Sequence, residues 1–198
     1  PPAAAGEGRA AAVGAQQAGG HNSSYQIPSN SPLSLLTEEG SGSTGWVLED
    51  EDGHPVHTSL LQGKLVGLYF SAGWCPPCRA FSPRLAALAS SYSEDLVIIF
   101  VSSDHSEHDM KAYIQGKGFL RIRWASGARR QLGAYLGISM LPTLAICDGD
   151  SGDVITTWGR VAVMANPQSC VADWRRGSNG LSITSLLGLN FLTKYCTG

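Results

Sequence analysis

A pair of cysteines separated by two prolines constrains this chain more than any other feature of its sequence. The pair lies in the segment Trp74-Cys75-Pro76-Pro77-Cys78, which follows a continuous apolar run over residues 65–70. Such a run is typical of a strand buried on both faces of a sheet. After the pair, large apolar residues recur at helical spacing up to residue 92. The sequence therefore predicts a strand, a C-x-x-C turn and a helix in direct succession.

The positions of the two sulfurs predict their chemistry. Cys75 would lie at the helix N-terminus, where unpaired N–H groups and the helix dipole favour a thiolate, so we expect it to be the accessible nucleophile. Cys78 lies one turn further along, and we expect it to be shielded and to resolve a mixed disulfide. The alternative is half of a zinc site, but this needs a second Cys or His pair at ligand spacing, and the sequence has none. A redox-active pair is the stronger hypothesis.

The remaining apolar pattern places this unit in an α/β fold. A second buried strand is predicted over residues 96–101, and helices over residues 106–115, 129–136 and 170–174. Short strands are predicted in an N-terminal hairpin (46–49 with 55–57), at 122–124, and in a second hairpin (143–147 with 154–158). This order predicts a mixed central β-sheet flanked by helices on both faces, with an N-terminal β-hairpin.

The composition divides the chain into three parts. Residues 1–44 are rich in Ala, Gly, Ser, Gln and Pro and show no hydrophobic period, so we predict a disordered low-complexity extension. Residues 45–176 hold the predicted domain, and residues 177–198 form a C-terminal tail. Apolar residues recur at helical spacing between 183 and 191. A docked or dangling tail and a contact with a membrane surface or partner both fit this pattern.

Charge and cysteine content exclude several classes of protein. The formal net charge is −2, and we interpret the pairs at 129–130 and 175–176 as solvated surface, so no basic stripe is available for nucleic acid. No stretch approaches the ~18 apolar residues that a membrane-spanning helix needs. The five cysteines are too unevenly spaced for a disulfide-rich secreted scaffold, which favours a reducing compartment. We expect no metal, since the histidines near residue 105 lack a metal-binding motif.

A proline at the start of a strand is the second feature of the predicted site. Leu141-Pro142-Thr143 opens the first strand of the second hairpin, a position where proline is normally unfavourable. A cis bond between Leu141 and Pro142 would leave backbone groups of Leu141 free to bind an extended thiol substrate beside Cys75. We therefore predict a cis proline and a substrate-binding loop here.

The sequence around both features resembles a known family. Residues 70–83, which include the C-x-x-C segment, are similar to the nucleoredoxin and tryparedoxin branch of the thioredoxin superfamily. The hairpin at residues 148–157 is similar to that of the kinetoplastid tryparedoxins, and the resemblance as a whole covers residues 45–175. It implies a thioredoxin fold. It also implies a thiol–disulfide oxidoreductase that takes electrons from the dithiol trypanothione and passes them to peroxiredoxins and other protein disulfides.

The resemblance also assigns residues to the substrate-binding surface. It implies a surface around the nucleophile and a facing loop, made of Trp74, Pro76, Pro77, Leu141 and Pro142. Arg160 falls where the family has an arginine that helps to hold trypanothione. Trp158 stands where a second arginine is usual, and on the predicted strand it would share a face with Arg160, so we expect weakened use of trypanothione. Tyr69 falls where thioredoxins have a buried acid, and the tryparedoxins resemble this chain in having tyrosine.

Two alternatives to the trypanothione-dependent function stay open. One is a nucleoredoxin-like disulfide reductase that receives electrons from another thiol system. The other is a redox-responsive adaptor that mainly binds partners. The dithiol chemistry needs no cofactor, and we expect a monomer in the cytoplasm, with the mitochondrion as the alternative compartment.

Overall fold

Seven strands form one mixed β-sheet in the computed structural model, which describes residues 25–37 and 47–181. In chain order the strands are β1 (Leu48–Glu49), β2 (Pro55–Val56), β3 (Leu65–Ser71), β4 (Leu96–Ser102), β5 (Leu120–Ile122), β6 (Thr143–Asp148) and β7 (Val154–Thr156). Their spatial order is β2-β1-β5-β4-β3-β6-β7. β4 is parallel to both β3 and β5, whereas the other neighbouring strands are antiparallel. The predicted mixed sheet and N-terminal hairpin are confirmed.

The described residues also form five α-helices: α1 (Pro76–Ser91), α2 (Glu107–Ile114), α3 (Ala128–Tyr135), α4 (Gly159–Ala165) and α5 (Cys170–Arg175). The sequence did not predict α4, and the strand predicted over residues 154–158 ends at Thr156. The hydroxyl oxygen of Thr156 accepts a hydrogen bond from the N–H of Trp158 at 3.0 Å. Such a local turn competes with strand pairing, so the chain leaves the sheet and enters α4.

The sheet is buried on both faces, and successive residues of its central strands alternate between two apolar cores. On β3, Leu65 and Tyr69 belong to the first core, while Val66 and Leu68 belong to the second. α1, α2, α4 and α5 all contribute buried residues to the first core. Burial on both faces explains why β3 and β4 appear in the sequence as continuous apolar runs.

The second core has little helix to cover it, and an N-terminal segment completes it. Among the helices, the eight-residue α3 covers this face, with Ala128 and Leu132 as its buried residues. A 3₁₀ turn at Pro32–Leu36 adds Leu33 and Leu36, which are 0% and 1% exposed. The prediction of a disordered extension is therefore wrong for residues 25–37, because their leucines bury apolar surface that α3 leaves open. The rest of that prediction, residues 1–24 and 38–44, lies outside the described residues.

The packed structure extends beyond residue 176, the predicted end of the domain. Trp174 is 1% exposed, and its indole N–H donates a hydrogen bond to the carbonyl oxygen of Asn179 at 3.4 Å. Leu181 packs against the first core. The apolar pattern at 183–191 and Cys196 lie outside the described residues. Within the described ranges, no helix has both the length and the apolar character needed to cross a membrane.

Candidate active site

Cys75 and Cys78 form a disulfide at the junction of β3 and α1. Cys75 occupies the N-cap position of α1, and its carbonyl oxygen accepts a hydrogen bond from the N–H of Arg79 at 3.1 Å. Its own N–H donates to the carbonyl oxygen of Ala72 at 3.2 Å. The Cα atoms of the two cysteines lie 5.2 Å apart. The structure thus places the first sulfur at the helix N-terminus, where the helix dipole favours a negative charge.

The two cysteines are covered to slightly different degrees. Cys78 is 0% exposed and Cys75 is 4% exposed; together with Ala72 they form a buried cluster against which Tyr113 and Leu141 pack. Cys78 is shielded, as the sequence predicts. Cys75 is much less accessible in the disulfide than predicted, because the two flanking side chains cover it. The exposed surface around the pair is formed by three other predicted residues: Trp74, Pro76 and Pro77.

The loop before the nucleophile is held by residues that follow β4. The N–H of Gly73 donates a hydrogen bond to the Asp104 carboxylate at 2.7 Å. The indole N–H of Trp74 donates to the carbonyl oxygen of Ser103 at 3.0 Å. The ring of His105 stacks on Trp74, with centroids 5.7 Å apart. Trp74 is therefore fixed in position although its side chain is 51% exposed.

A cluster of hydroxyl groups lies beneath Cys78. The hydroxyls of Tyr69 and Ser82 are hydrogen-bonded at 2.8 Å, and those of Ser82 and Tyr113 at 2.6 Å. The Tyr113 hydroxyl also lies 3.3 Å from the hydroxyl of Ser71. Burial raises the pKa of Tyr69 well above its usual value. This position therefore holds a neutral hydroxyl where a buried carboxylate would be expected in a thioredoxin.

The predicted substrate loop borders two grooves. The Leu141–Pro142 peptide bond is cis, as predicted. One groove, which we call the α4 groove, has a volume of about 210 Å³ and is lined in part by Met140, Pro142, Trp158 and Arg160. Trp158 and Arg160 thus meet beside the loop. The prediction that the two residues share one face of a strand is wrong. Trp158 is the N-cap residue of α4 and Arg160 lies in its first turn, because the chain turns out of the sheet after β7.

The second groove, which we call the α3 groove, has a volume of about 380 Å³. Its polar lining comes from the end of β4 and from α3: Ser102, Ser103, Asp104, Arg129 and Arg130. Leu141 forms part of its wall. Arg129 is half-buried over the ring of Trp124, with its guanidinium carbon 3.9 Å from the ring centroid. The interpretation of the arginine pair as solvated surface is therefore wrong for Arg129.

Sequence reasoning missed Tyr113 and Arg129 as residues of the site. Both lie on helices, far along the chain from the C-x-x-C segment. Neither belongs to a short motif, and only the spatial order of the strands brings their helices to the cysteines. A helical residue acquires its neighbours through packing, which local spacing does not encode.

The other described thiols do not form part of this site. Cys147 and Cys170 are buried free cysteines, and burial raises the pKa of Cys147 to about 12 and that of Cys170 to about 11. Near residue 105, Asp104 is engaged by the Gly73 loop. Within residues 25–37 and 47–181, the side chains close enough to share a metal ion are Asp50, Asp52 and His54, on the exposed tip of the N-terminal hairpin.

Known proteins share this arrangement. A family model described as Thioredoxin-like matches residues 63–154. The tryparedoxin of Trypanosoma brucei brucei is 33% identical over 122 residues, which are 60% of this chain and 85% of that protein. The chain belongs to the thioredoxin-like family. The predicted thioredoxin fold is confirmed by a solved structure of this family, tryparedoxin II complexed with glutathionylspermidine. That structure has a TM-score of 0.62 and 29% identity, and the match covers 70% of this chain and 95% of the tryparedoxin.

The thioredoxin-like family also includes longer relatives. The nucleoredoxin of Mus musculus is 40% identical over 126 residues, which are 60% of this chain but 28% of the nucleoredoxin. This chain thus spans just over a quarter of the length of that relative. The predicted resemblance to both tryparedoxins and nucleoredoxins is confirmed. These homologues are thiol–disulfide oxidoreductases, so the predicted enzyme class is confirmed at the level of the family.

Proposed function

We propose that this chain reduces disulfides by thiol–disulfide exchange at Cys75 and Cys78. The observation that supports this most strongly is the disulfide itself. Its first cysteine is the N-cap residue of a sixteen-residue helix, and its second is completely buried one turn further along. A sulfur at a helix N-terminus has a stabilised thiolate, and a buried partner cannot react with outside reagents before the first has done so.

The reaction transfers two electrons in two exchange steps. The Cys75 thiolate attacks one sulfur of the substrate disulfide; that S–S bond breaks, and the departing sulfur takes up a proton as the first thiol product. Cys78 then loses its proton and attacks the Cys75 sulfur. This step releases the second thiol and forms the Cys75–Cys78 disulfide. An external dithiol reduces this disulfide by the reverse chemistry and is itself oxidised to a disulfide.

Cysteine variants test the assignment in a coupled assay with bis(2-hydroxyethyl) disulfide. Cys75→Ser should abolish turnover. Cys78→Ser should form one mixed disulfide, detectable by intact mass, and then stop. The matched control is Cys147→Ser, which removes a buried thiol outside the site and should keep turnover. Full turnover by Cys75→Ser would contradict the proposal.

The small dithiol that we propose as reductant is trypanothione, and the support is twofold. A tryparedoxin related to this chain was solved with glutathionylspermidine, and Arg160 lines the α4 groove beside Pro142. Arg160 makes no ion pair with a carboxylate of the described residues. Because Trp158 stands in place of a second cation, we expect a high KM for trypanothione and little effect on the rate of the chemical step.

Two variants test this choice of reductant. An exposed charge contact contributes about 0.2–1 kcal/mol, so Trp158→Arg should lower the KM for trypanothione up to about fivefold, and Arg160→Ala should raise it by a similar factor. Neither should change kcat by much. If trypanothione gives no turnover while another dithiol does, the nucleoredoxin-like alternative replaces the tryparedoxin-like one.

We propose peroxiredoxins and other disulfide proteins as the acceptors. The Cys78→Ser variant holds its target as a mixed disulfide, so trapping from cell extract followed by mass spectrometry identifies the acceptors. A peroxiredoxin among the trapped proteins would support the proposal. Partners bound without a disulfide bond, together with absent turnover, would favour the redox-responsive adaptor.

We also propose that the protein acts as a monomer in the cytoplasm. The buried thiols of Cys147 and Cys170 fit a reducing compartment. Light scattering after gel filtration tests the monomer. Cell fractionation tests the compartment, with recovery in the mitochondrial fraction as the result that would change it.

A further inference from the structure

We propose that the α3 groove binds a carboxylate carried by the disulfide substrate, and that this gives the enzyme a preference for acidic disulfides. The inference rests on the proposed disulfide exchange, since it names a substrate class for that reaction. It concerns Arg129 and Arg130, which lie outside the C-x-x-C segment, the substrate loop and the α4 groove.

The α3 groove adjoins the surroundings of the reactive disulfide. Its wall includes Ser103 and Asp104, which hold the loop before Cys75 through hydrogen bonds to Trp74 and Gly73. Its wall also includes Leu141, which packs against the two cysteines. A substrate whose sulfur reaches Cys75 therefore places its neighbouring atoms at the entrance of this groove.

Arg129 and Arg130 give the groove positive charge. Arg130 is exposed, and neither it nor Arg129 makes an ion pair with a carboxylate of the described residues. The Arg129 guanidinium is held by stacking on Trp124 and by a hydrogen bond from one terminal nitrogen to the carbonyl oxygen of Ser102 at 3.3 Å. Its Nε–H is buried and has no hydrogen-bond acceptor. A cation held in one place in the wall of a groove is suited to receive a carboxylate.

The acidic residue of the groove does not offset these charges by direct contact. Asp104 is 8% exposed. One of its carboxylate oxygens accepts from the N–H of Gly73 at 2.7 Å, and the other from the hydroxyl of Ser102 at 2.8 Å. Both carboxylate oxygens of Asp104 are thus engaged in hydrogen bonds within the wall of the groove. Burial, together with the nearby charge of Arg130, lowers the pKa of Arg129, and the charge of Asp104 opposes this shift only in part.

Three small disulfides of similar shape test the preference: the dianion 3,3′-dithiodipropionate, neutral bis(2-hydroxyethyl) disulfide and the dication cystamine. We expect kcat/KM to be about three- to tenfold higher for the dianion than for the neutral compound, and lowest for the dication. The difference should lie mainly in KM and should diminish in high salt, which screens exposed charges. Equal kcat/KM for all three would overturn the proposal while leaving the disulfide exchange intact.

Arginine variants locate the effect. Arg130→Gln changes an exposed side chain and should lower kcat/KM for the dianion about threefold without changing that for the neutral disulfide. Arg129→Gln should lower kcat/KM for the dianion to a greater degree than Arg130→Gln does. Arg176→Gln removes a surface arginine that lines neither groove, and it should leave the preference unchanged. If Arg160→Gln removes the preference and the α3 variants do not, the carboxylate binds in the α4 groove and the proposal is wrong.

A binding measurement keeps the site testable independently of turnover. 3,3′-Thiodipropionate carries two carboxylates on a thioether that cannot be reduced, and calorimetry should detect its binding to the wild-type protein and a severalfold loss in Arg130→Gln. If no disulfide is reduced, the proposed function fails, but this loss would still support the carboxylate site. Absence of binding to the wild-type protein would overturn it. Cystine peptides with Asp or Asn beside the half-cystine then show whether a protein side chain can supply the carboxylate. If it can, the Asp peptide should be reduced faster than the Asn peptide.

Discussion

Replacing Leu33 by alanine should destabilise the whole domain. The Leu33 side chain is 0% exposed and belongs to the second core, together with Val66 and Leu68 of the central strand β3. Removing a buried leucine side chain costs about 3 kcal/mol when the cavity does not collapse. For a domain of this size we expect Tm to fall by roughly 6–12 °C. The measurement is the free energy of unfolding in urea, confirmed by thermal denaturation.

Leu60→Ala is the matched control, because the same atoms are deleted from a side chain that is 46% exposed. It should change the free energy of unfolding by less than about 1 kcal/mol. If Leu33→Ala and Leu60→Ala have equal effects, the segment 25–37 does not stabilise the second core. A chain that starts at residue 38 should lose more stability than Leu33→Ala does, since Leu36 and the hydrogen bond from Tyr135 to Asn30 are also removed.

Three further outcomes are expected. In the native reduced protein near pH 8, iodoacetamide followed by peptide mapping should modify Cys75 before Cys147 or Cys170, since burial raises the pKa of the latter two thiols to about 12 and about 11; the reverse order would contradict the assigned nucleophile. Because Cys147 ionises more readily when unfolded, the free energy of unfolding should fall as pH rises above 9.0. The fall should reach about 1.4 kcal/mol per pH unit for this thiol, and a Cys147→Ala variant with the same slope would refute the link. Gly149→Ala should destabilise by about 1–3 kcal/mol, because its Cβ would collide with backbone carbonyl oxygens of the turn before β3. Gly133 lies within α3, and the nearest neighbour of an added Cβ would be 4.0 Å away. Gly133→Ala should therefore be neutral or stabilising when the free energy of unfolding is measured in urea.

The parts of the fold that the sequence predicts well are those whose signal is local. The apolar runs of β3 and β4 and the proline-flanked cysteines define the strand–helix unit without reference to the rest of the chain. The helix predicted over residues 106–115 is present as α2, and the Ser106 hydroxyl caps it by accepting a hydrogen bond from the N–H of Asp109 at 3.1 Å. In each case the residues that determine the structure are close neighbours in sequence.

The parts that sequence reasoning missed depend on distant partners. Leu33 and Leu36 lie in a segment rich in proline and serine, and their burial follows from the small amount of helix on one face of the sheet. Arg129 becomes part of a groove because α3 lies beside the end of β4. The sequence predicts a strand at Trp158, whereas the structure places this residue at the start of α4. A short apolar segment fits a strand and the start of a helix equally well.

Segment 25–37 is synthesised long before the residues that it contacts. Its contacts join residues far apart in the chain: the Tyr25 hydroxyl donates a hydrogen bond to the carbonyl oxygen of Gly149, and that of Tyr135 donates to Asn30. Segment 25–37 is synthesised before its acceptor at Gly149, which follows more than a hundred residues later. Contacts of such long sequence separation form late in folding. The hydrogen bond from Tyr25 to Gly149 therefore cannot form until the β6–β7 hairpin has been made, so this end of the segment is completed only when most of the sheet is present.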